Sequence, residues 1–129
     1  AGHEETLYAL AAAERYAASD LEHAQAVARL GEGWVAEEAL AIAVYCALIA
    51  ADLRAGVILA VNHDGDSDST GAIAGNLLGA LYGVQAIPAE WLTPLELRGV
   101  IDAVANDLYA TRDGDKNDAG LRERYPVQA

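Results

Sequence analysis

Three aspartates alternate with small residues between Asn62 and Gly75, directly before a glycine-rich apolar stretch. Asp64, Asp66 and Asp68 stand close together, and the hydroxyl of Ser69 follows at once. Carboxylate and hydroxyl oxygens are hard donors, which Mg²⁺, Mn²⁺ and Ca²⁺ prefer. Carboxylates this close repel one another unless a cation lies between them. The spacing therefore favours a metal site in which Asp66, Asp68 and Ser69 are ligands from one turn entering a helix.

Three other interpretations of this loop fit less well. Capping of a helix from Thr70 by Asp68 or Ser69 needs only one or two acids. An EF-hand loop starting at Asp64 needs glycine at its sixth position and glutamate at its twelfth, where this chain has Ser69 and Gly75. A phosphate-binding glycine loop normally carries a lysine, and this loop has none. Its own negative charge would repel phosphate unless a metal bridged the two.

The composition describes a globular and acidic chain. Of 129 residues, 53% are hydrophobic and 22% are charged, and the net charge is −12. This length predicts one domain, and the charge argues against nucleic-acid or anionic-membrane partners, which need a cationic surface. The single cysteine, Cys46, fits a reducing compartment. The start AGHEETL lacks the basic residues of a signal peptide, and the apolar run from Leu40 to Ala51 is too short to span a bilayer. We therefore expect a cytoplasmic protein.

The first half of the chain predicts helices and no convincing strand. A helix is expected over 4–17, and Ser19 with Glu22 matches a capping box that would start a second helix, ending at Gly31. The segment 34–51 is apolar on nearly all sides, which predicts a central helix. Asp52 is then expected to cap a helix over 53–61.

The second half predicts further helices and a polar tail. Glycines recur every four residues in the helix expected over 70–82, which indicates close approach of another backbone. A short helical turn is expected from Pro88 to Leu92, and Thr93-Pro94-Leu95-Glu96 is typical of a helix start. The apolar residues that would give the next helix a core face are Leu97, Ile101, Val104 and Leu108. We predict an all-α domain over 1–110, an irregular helical bundle, and a loop or frayed tail over 111–129.

Three segments in order resemble the ADP-ribosylglycohydrolase family. The run DGDSDS from Asp64 to Ser69, with GAIAGNLLGALYG after it, is similar to the family's second metal-binding motif and the helix that follows. The segments GEGWVAEEALAIAVYCAL and IPAEWL are similar to the family segments on either side. The resemblance covers roughly residues 31–110, and it implies an all-α fold with two Mg²⁺ or Mn²⁺ ions.

The resemblance also implies a reaction and a set of site residues. Family members hydrolyse the bond between ADP-ribose and a protein side chain, so the implied substrate is an ADP-ribosylated protein or an ADP-ribose-containing small molecule. Asp66, Asp68 and Ser69 would be metal ligands, with serine in place of the usual threonine. Asp66 is also a candidate to activate the attacking water, and Asp64 replaces the usual glycine.

The family's other metal motif, Thr-Asp-Asp-Thr-like, has no counterpart in this sequence. The chain thus resembles the C-terminal part of a glycohydrolase and would supply half of the dinuclear site. A missing N-terminal half or a second chain would be needed, and this chain alone should hydrolyse little. The alternative is a non-catalytic relative that keeps the fold as a structural or ADP-ribose-binding protein.

Four other residues need a simpler interpretation. His63, beside the aspartates, is expected to be an exposed loop residue. Cys46 lies in an apolar helix and is expected to be a small core residue rather than a nucleophile. Glu37 and Glu38 follow Trp34, and we expect one of them to cap a turn or line the pocket, because nothing nearby would activate either for catalysis.

Overall fold

The computed structural model describes residues 3–112 and 119–126. These ranges are helical and contain no strand, which confirms the all-α prediction. The helices are α1 (Glu4–Ala17), α2 (His23–Leu30), α3 (Ala36–Ile49), α4 (Leu53–Val61), α5 (Ser67–Tyr82), α6 (Ala89–Leu92), α7 (Arg98–Thr111) and α8 (Ala119–Arg124), with a 3-10 turn at Val84–Ala86. No helix in the described ranges has both the length and the apolar character needed to cross a bilayer.

The helices group into two compact units, Ala1–Pro88 and Ala89–Ala129. The first unit contains α1 to α5, and the second contains α6 to α8. The division into a domain over 1–110 and a tail stays a prediction. The aspartate loop lies wholly in the first unit, between α4 and α5.

The centre of the first unit is α3, as its apolar pattern predicts. It packs against α1, α2, α4 and α5. Its buried side chains are Ala39, Ala41, Ile42, Ala43, Tyr45 and Cys46. The expected start at Trp34 is wrong, because Val35 is extended and the helix begins at Ala36. Trp34 lies before the helix and is 67% exposed.

One of the two predicted caps in the first unit is present. Asp52 Oδ1 accepts a hydrogen bond from the Ala55 N–H at 2.7 Å, which confirms the cap of α4. The capping box at Ser19 is wrong. Its hydroxyl donates to the Tyr16 carbonyl at 2.7 Å, at the end of α1, and α2 begins only at His23. The residue thus completes one helix and does not start the next.

The glycines of α5 do not mark a close backbone approach, contrary to the prediction. A Cβ at Gly71 would lie 2.5 Å from Cγ1 of Val61, which is a side-chain atom. No described atom lies within 4 Å of a Cβ placed at Gly75 or Gly79. Gly83 lies beyond the helix as its C-cap.

The second unit differs from the sequence expectation in three ways. The hydroxyl of Thr93 donates to the Ala89 carbonyl at 2.8 Å and so completes α6. The next helix, α7, begins at Arg98 after Leu97, whose φ of 56° is left-handed. The expected core face of α7 is wrong as well, since its four apolar side chains are 36–72% exposed. Residues 119–124 form α8 and not a loop.

A carboxylate of α7 holds the chain end in the second unit. Asp107 forms an ion pair with Arg124 and accepts a hydrogen bond from the Tyr125 hydroxyl at 3.0 Å. These contacts join the end of α8 to α7. The rest of the predicted tail, residues 113–118 and 127–129, lies outside the described residues.

Candidate functional site

The candidate site is the loop at 62–66 together with the first turn of α5. The helix begins at Ser67, three residues before the predicted start at Thr70. Its N-cap is Asp66, whose Oδ1 accepts a hydrogen bond from the Ser69 N–H at 3.4 Å. Asp68 and Ser69, the caps in the less favoured capping interpretation, lie instead within the first helical turn. All three proposed ligands are therefore held at one helix start.

The three oxygen-bearing side chains lie within four residues of one another at this helix start. Hydrogen bonding from Ser69 is the main cause that lowers the pKa of Asp66. The partial positive charge of the helix N-terminus also favours ionised carboxylates at this position. Asp68 is exposed, and Asp66 and Ser69 are half-buried. Solvent-accessible carboxylate and hydroxyl oxygens are the donor chemistry that Mg²⁺ and Mn²⁺ prefer.

This donor set fits a divalent cation but does not complete its shell. Three side chains from one turn supply at most half of the six ligands that Mg²⁺ takes. Across the described part of the chain, no group of three or more histidine, cysteine, aspartate or glutamate side chains is arranged to hold a metal. Asp66, Asp68 and Ser69 are therefore too few, by themselves, to fill the shell of such a cation.

His63 is not the exposed loop residue that the sequence predicts. Its Nδ1 accepts a hydrogen bond from the Gly65 N–H at 3.1 Å, so the proton of the neutral ring is on Nε2. Nε2 donates to the Thr70 hydroxyl at 2.9 Å. The Thr70 hydroxyl donates in turn to the Ala60 carbonyl at 2.6 Å, near the end of α4. This chain of hydrogen bonds joins both helices across the loop.

Thr70 is the fully buried polar side chain of this site. The Ala60 carbonyl that it satisfies belongs to the last turn of α4, where carbonyl groups lack an intrahelical partner. The local sequence pattern predicted no structural role for either Thr70 or His63. The sequence offered one signal for the role of Thr70. Thr70 lies four residues after Asp66, so the two side chains are on the same side of the helix start.

A second segment, the turn at 31–33, lies against the aspartate loop. The Asp66 N–H donates to the Glu32 carbonyl at 2.7 Å. Gly65 is required at this contact, because a Cβ there would lie 1.8 Å from the same Glu32 oxygen. A Cβ on Gly33 would lie 2.9 Å from Cγ2 of Thr70. The 31–33 turn and the aspartate loop are therefore packed backbone to backbone.

Glu38 supports the 31–33 turn from the first turn of α3. Its Oε2 accepts hydrogen bonds from the N–H groups of Glu32 and Gly33, both at 3.1 Å. This agrees with the expectation that Glu37 or Glu38 would cap a turn. A cavity of about 290 Å³ opens beside the 31–33 turn, between α2 and residues 62–65. On the side of the aspartate loop the cavity is lined by Asn62, His63, Asp64 and Gly65.

Cys46 is buried in the middle of α3, as predicted. Burial raises the pKa of its thiol to about 12. A protonated, inaccessible thiol is not a nucleophile, so Cys46 belongs to the core.

The described residues form an all-α fold in which the carboxylates of Asp66 and Asp68 and the hydroxyl of Ser69 lie at one helix start. The ADP-ribosylglycohydrolase family model matches residues 1–118. The chain therefore belongs to the ADP-ribosylglycohydrolase family, as its sequence motifs predict.

Several relatives of known name are similar to parts of the chain. The ADP-ribosyl-[dinitrogen reductase] glycohydrolase of Rhodospirillum rubrum is 52% identical over 42 residues, which cover 33% of this chain and 14% of that protein. The ADP-ribosylarginine hydrolase Tri1 of Pseudomonas putida is 42% identical over 53 residues, which cover 41% and 14%. ADP-ribosylhydrolase ARH3 of Homo sapiens is 28% identical over 96 residues, which cover 66% and 26%. The chain thus spans about a quarter or less of the length of these relatives. No solved structure gives a significant match.

Proposed function

We propose that this chain is part of a metal-dependent hydrolase that cleaves the glycosidic bond between ADP-ribose and a protein side chain or small molecule. The observation that carries the proposal is the position of Asp66, Asp68 and Ser69 at the start of α5, in a member of the ADP-ribosylglycohydrolase family. The names of two relatives refer to ADP-ribosyl-dinitrogen reductase and to ADP-ribosylarginine. Both names support an ADP-ribosylated protein as the substrate.

Each residue has a distinct task in this proposal. Asp66, Asp68 and Ser69 hold one side of a pair of Mg²⁺ or Mn²⁺ ions, which supply Lewis-acid polarisation and orient the substrate. Asp66 is fixed through both its N–H and its carboxylate, so its remaining lone pairs have a defined direction. We assign it the further task of accepting a hydrogen bond from the attacking water. The cavity of about 290 Å³ beside residues 62–65 is the candidate space for part of the substrate.

The remaining ligands come from elsewhere in this proposal. The chain spans about a quarter or less of its named relatives, and one helical turn provides only part of an octahedral shell. We infer that a missing N-terminal half or a second chain completes the site. The chain alone should therefore bind the metal weakly and release little ADP-ribose.

The test is a Mn²⁺ titration of the ¹⁵N-labelled chain, followed by paramagnetic broadening of its amide signals. This readout detects even weak binding and locates it in the sequence. We expect broadening centred on the amides from Asp66 to Thr70, and its loss in Asp68→Asn. The matched control is Asp64→Asn, which removes the same charge from the same loop but not a proposed ligand. The control should keep the broadening.

Two results would contradict the proposal. Equal loss in both variants, or broadening spread over the acidic surface, would show diffuse attraction of the cation rather than a site. The non-catalytic alternative makes a different prediction: free ADP-ribose would bind without divalent cations and equally well to Asp68→Asn. A calorimetric titration with ADP-ribose in the presence of EDTA separates the two classes.

A further inference from the structure

We propose that Glu38 is a positioning residue, whose carboxylate holds the 31–33 turn on which the Asp66 backbone is docked. It acts on the site through Glu32 and does not touch substrate. The importance of this role for hydrolysis rests on the proposed function, since Asp66 must be a ligand for its direction to matter.

The 31–33 turn is folded around the Glu38 carboxylate. Gly31 and Gly33 both have positive φ, +124° and +82°, and the two N–H groups after Gly31 point to the same Oε2 atom. Successive N–H groups arranged in this way form a concave anion-binding nest, and here the anion is a side chain of the same protein. A Cβ on Gly31 would lie 2.4 Å from the Glu38 carboxyl carbon. The turn therefore lies directly against the carboxylate.

Glu32 transmits the position of the turn to Asp66. Its N–H is held by Glu38 at 3.1 Å, and its carbonyl accepts the Asp66 N–H at 2.7 Å. The absence of a side chain at Gly65 lets the two backbones meet. If the turn moved away from Glu38, the Glu32 carbonyl would move with it. The N–H of Asp66, which is the N-cap of α5, would then lose its hydrogen-bond acceptor.

Substitutions of Glu38 that change its length and substitutions that change its charge should have different effects on the contact. In our proposal the side chain must reach the two N–H groups, so Glu38→Gln, which keeps both the length and a carbonyl oxygen, should largely preserve the contact. Glu38→Asp keeps the charge but is one methylene too short. Glu37 provides the matched control, because it lies beside Glu38 on α3, carries the same charge and makes none of these contacts.

The test is amide hydrogen exchange of the full chain by NMR in metal-free buffer. We expect the Asp66 amide to exchange at least tenfold faster in Glu38→Ala and Glu38→Asp, but less than threefold faster in Glu38→Gln. Glu37→Ala should leave the exchange unchanged. The amide of Leu78, buried in α5, reports global unfolding and corrects each rate for stability. If Glu38→Ala fails to fold, the test rests on whether the Asp66 amide exchanges faster in Glu38→Asp than in Glu38→Gln.

The outcomes separate this proposal from the proposed function. Unchanged Asp66 exchange in Glu38→Asp, or a larger effect in Gln than in Asp, overturns the positioning role. Mn²⁺ broadening of the Asp66–Thr70 amides is then compared among the same variants. Broadening that weakens together with Asp66 protection supports the proposal, and broadening that does not change overturns it. Absence of broadening in the unmodified chain counts against the metal site itself, while the exchange rates still show whether Glu38 holds Asp66.

Discussion

Thr70 has a fully buried hydroxyl that joins α4, α5 and the aspartate loop. We predict that Thr70→Val, which has nearly the same shape, lowers the free energy of unfolding by about 1–3 kcal/mol. The reason is that the Ala60 carbonyl and the His63 Nε2–H both lose their partner without gaining water. Urea unfolding measures the loss, with Thr70→Ser as the control because serine keeps the hydroxyl. A valine variant as stable as the serine variant would contradict this role.

Cys46 is predicted to be unreactive in the folded protein. Burial raises the pKa of its thiol from 9.0 to about 12, and a thiol must ionise and be reached before it reacts. We expect no reaction with Ellman's reagent at about pH 8 in the native state, and one equivalent of reaction in denaturant. Reaction of the native chain at the denatured rate would show that α3 is not the buried centre of the first unit.

The same pKa shift gives a pH dependence of stability. The folded state favours the neutral thiol. The contribution of Cys46 to the free energy of unfolding is therefore fully present below the unfolded pKa of 9.0. It is lost as the pH rises from there towards about 12. Cys46→Ala removes the titrating group, so its stability should fall less over this interval. Urea unfolding of both proteins across the interval tests the difference, and parallel curves would contradict it.

At the scale of the elements, the glycines in and before α5 are of two kinds. No described atom lies within 4 Å of a Cβ placed at Gly75, whereas a Cβ at Gly65 would meet the Glu32 carbonyl at 1.8 Å. We predict that Gly75→Ala stabilises the chain by about 0.5–1 kcal/mol, since alanine favours the helix. Gly65→Ala should destabilise it by about 1–3 kcal/mol through overpacking. Thermal unfolding of both variants checks the opposite signs. Destabilisation by Gly75→Ala would instead support the prediction that another backbone packs closely against the glycines of α5.

The element boundaries show which features local sequence can predict. The cap of α4 by Asp52 was predictable because donor and acceptor lie three residues apart. The start of α5 was not, because Asp66, Asp68 and Ser69 can all cap a helix. The Asp66 N–H is held by the Glu32 carbonyl, far earlier in the chain. A tertiary contact of this kind has no signature in the local pattern.

In the candidate site too, some features could be predicted from the local sequence and others depend on tertiary contacts. The grouping of Asp66, Asp68 and Ser69 at one helix start was predictable because the three lie within four residues, and their assignment as metal ligands stays a prediction. The supports were not, since His63 and Glu38 act through backbone groups that the sequence does not order in space. For His63 the residue type alone gave no reason to prefer a structural role over an exposed one. For Glu38 a capping role was expected, but its partners in the 31–33 turn were not.

At the scale of the whole molecule, negative charges far outnumber positive ones. The chain has 20 acidic and 8 basic side chains, for a net charge of −12. The ion pair of Arg98 with Asp102 is exposed, at 3.8 Å, and such pairs contribute little. Most of the excess negative charge is therefore left to repel itself across the surface, which disfavours the compact state.

This repulsion predicts that NaCl stabilises the chain. Raising the ionic strength from about 0.01 M to about 1 M shortens the Debye length from about 30 Å to about 3 Å. We expect the Tm to rise by roughly 3–6 °C, which corresponds to about 1 kcal/mol of relieved repulsion. The double variant Glu14→Gln with Asp20→Asn removes two exposed negative charges and should rise less. Scanning calorimetry at several NaCl concentrations gives both slopes. A Tm that falls with salt would mean that attractive ion pairs outweigh the net charge in holding the fold together.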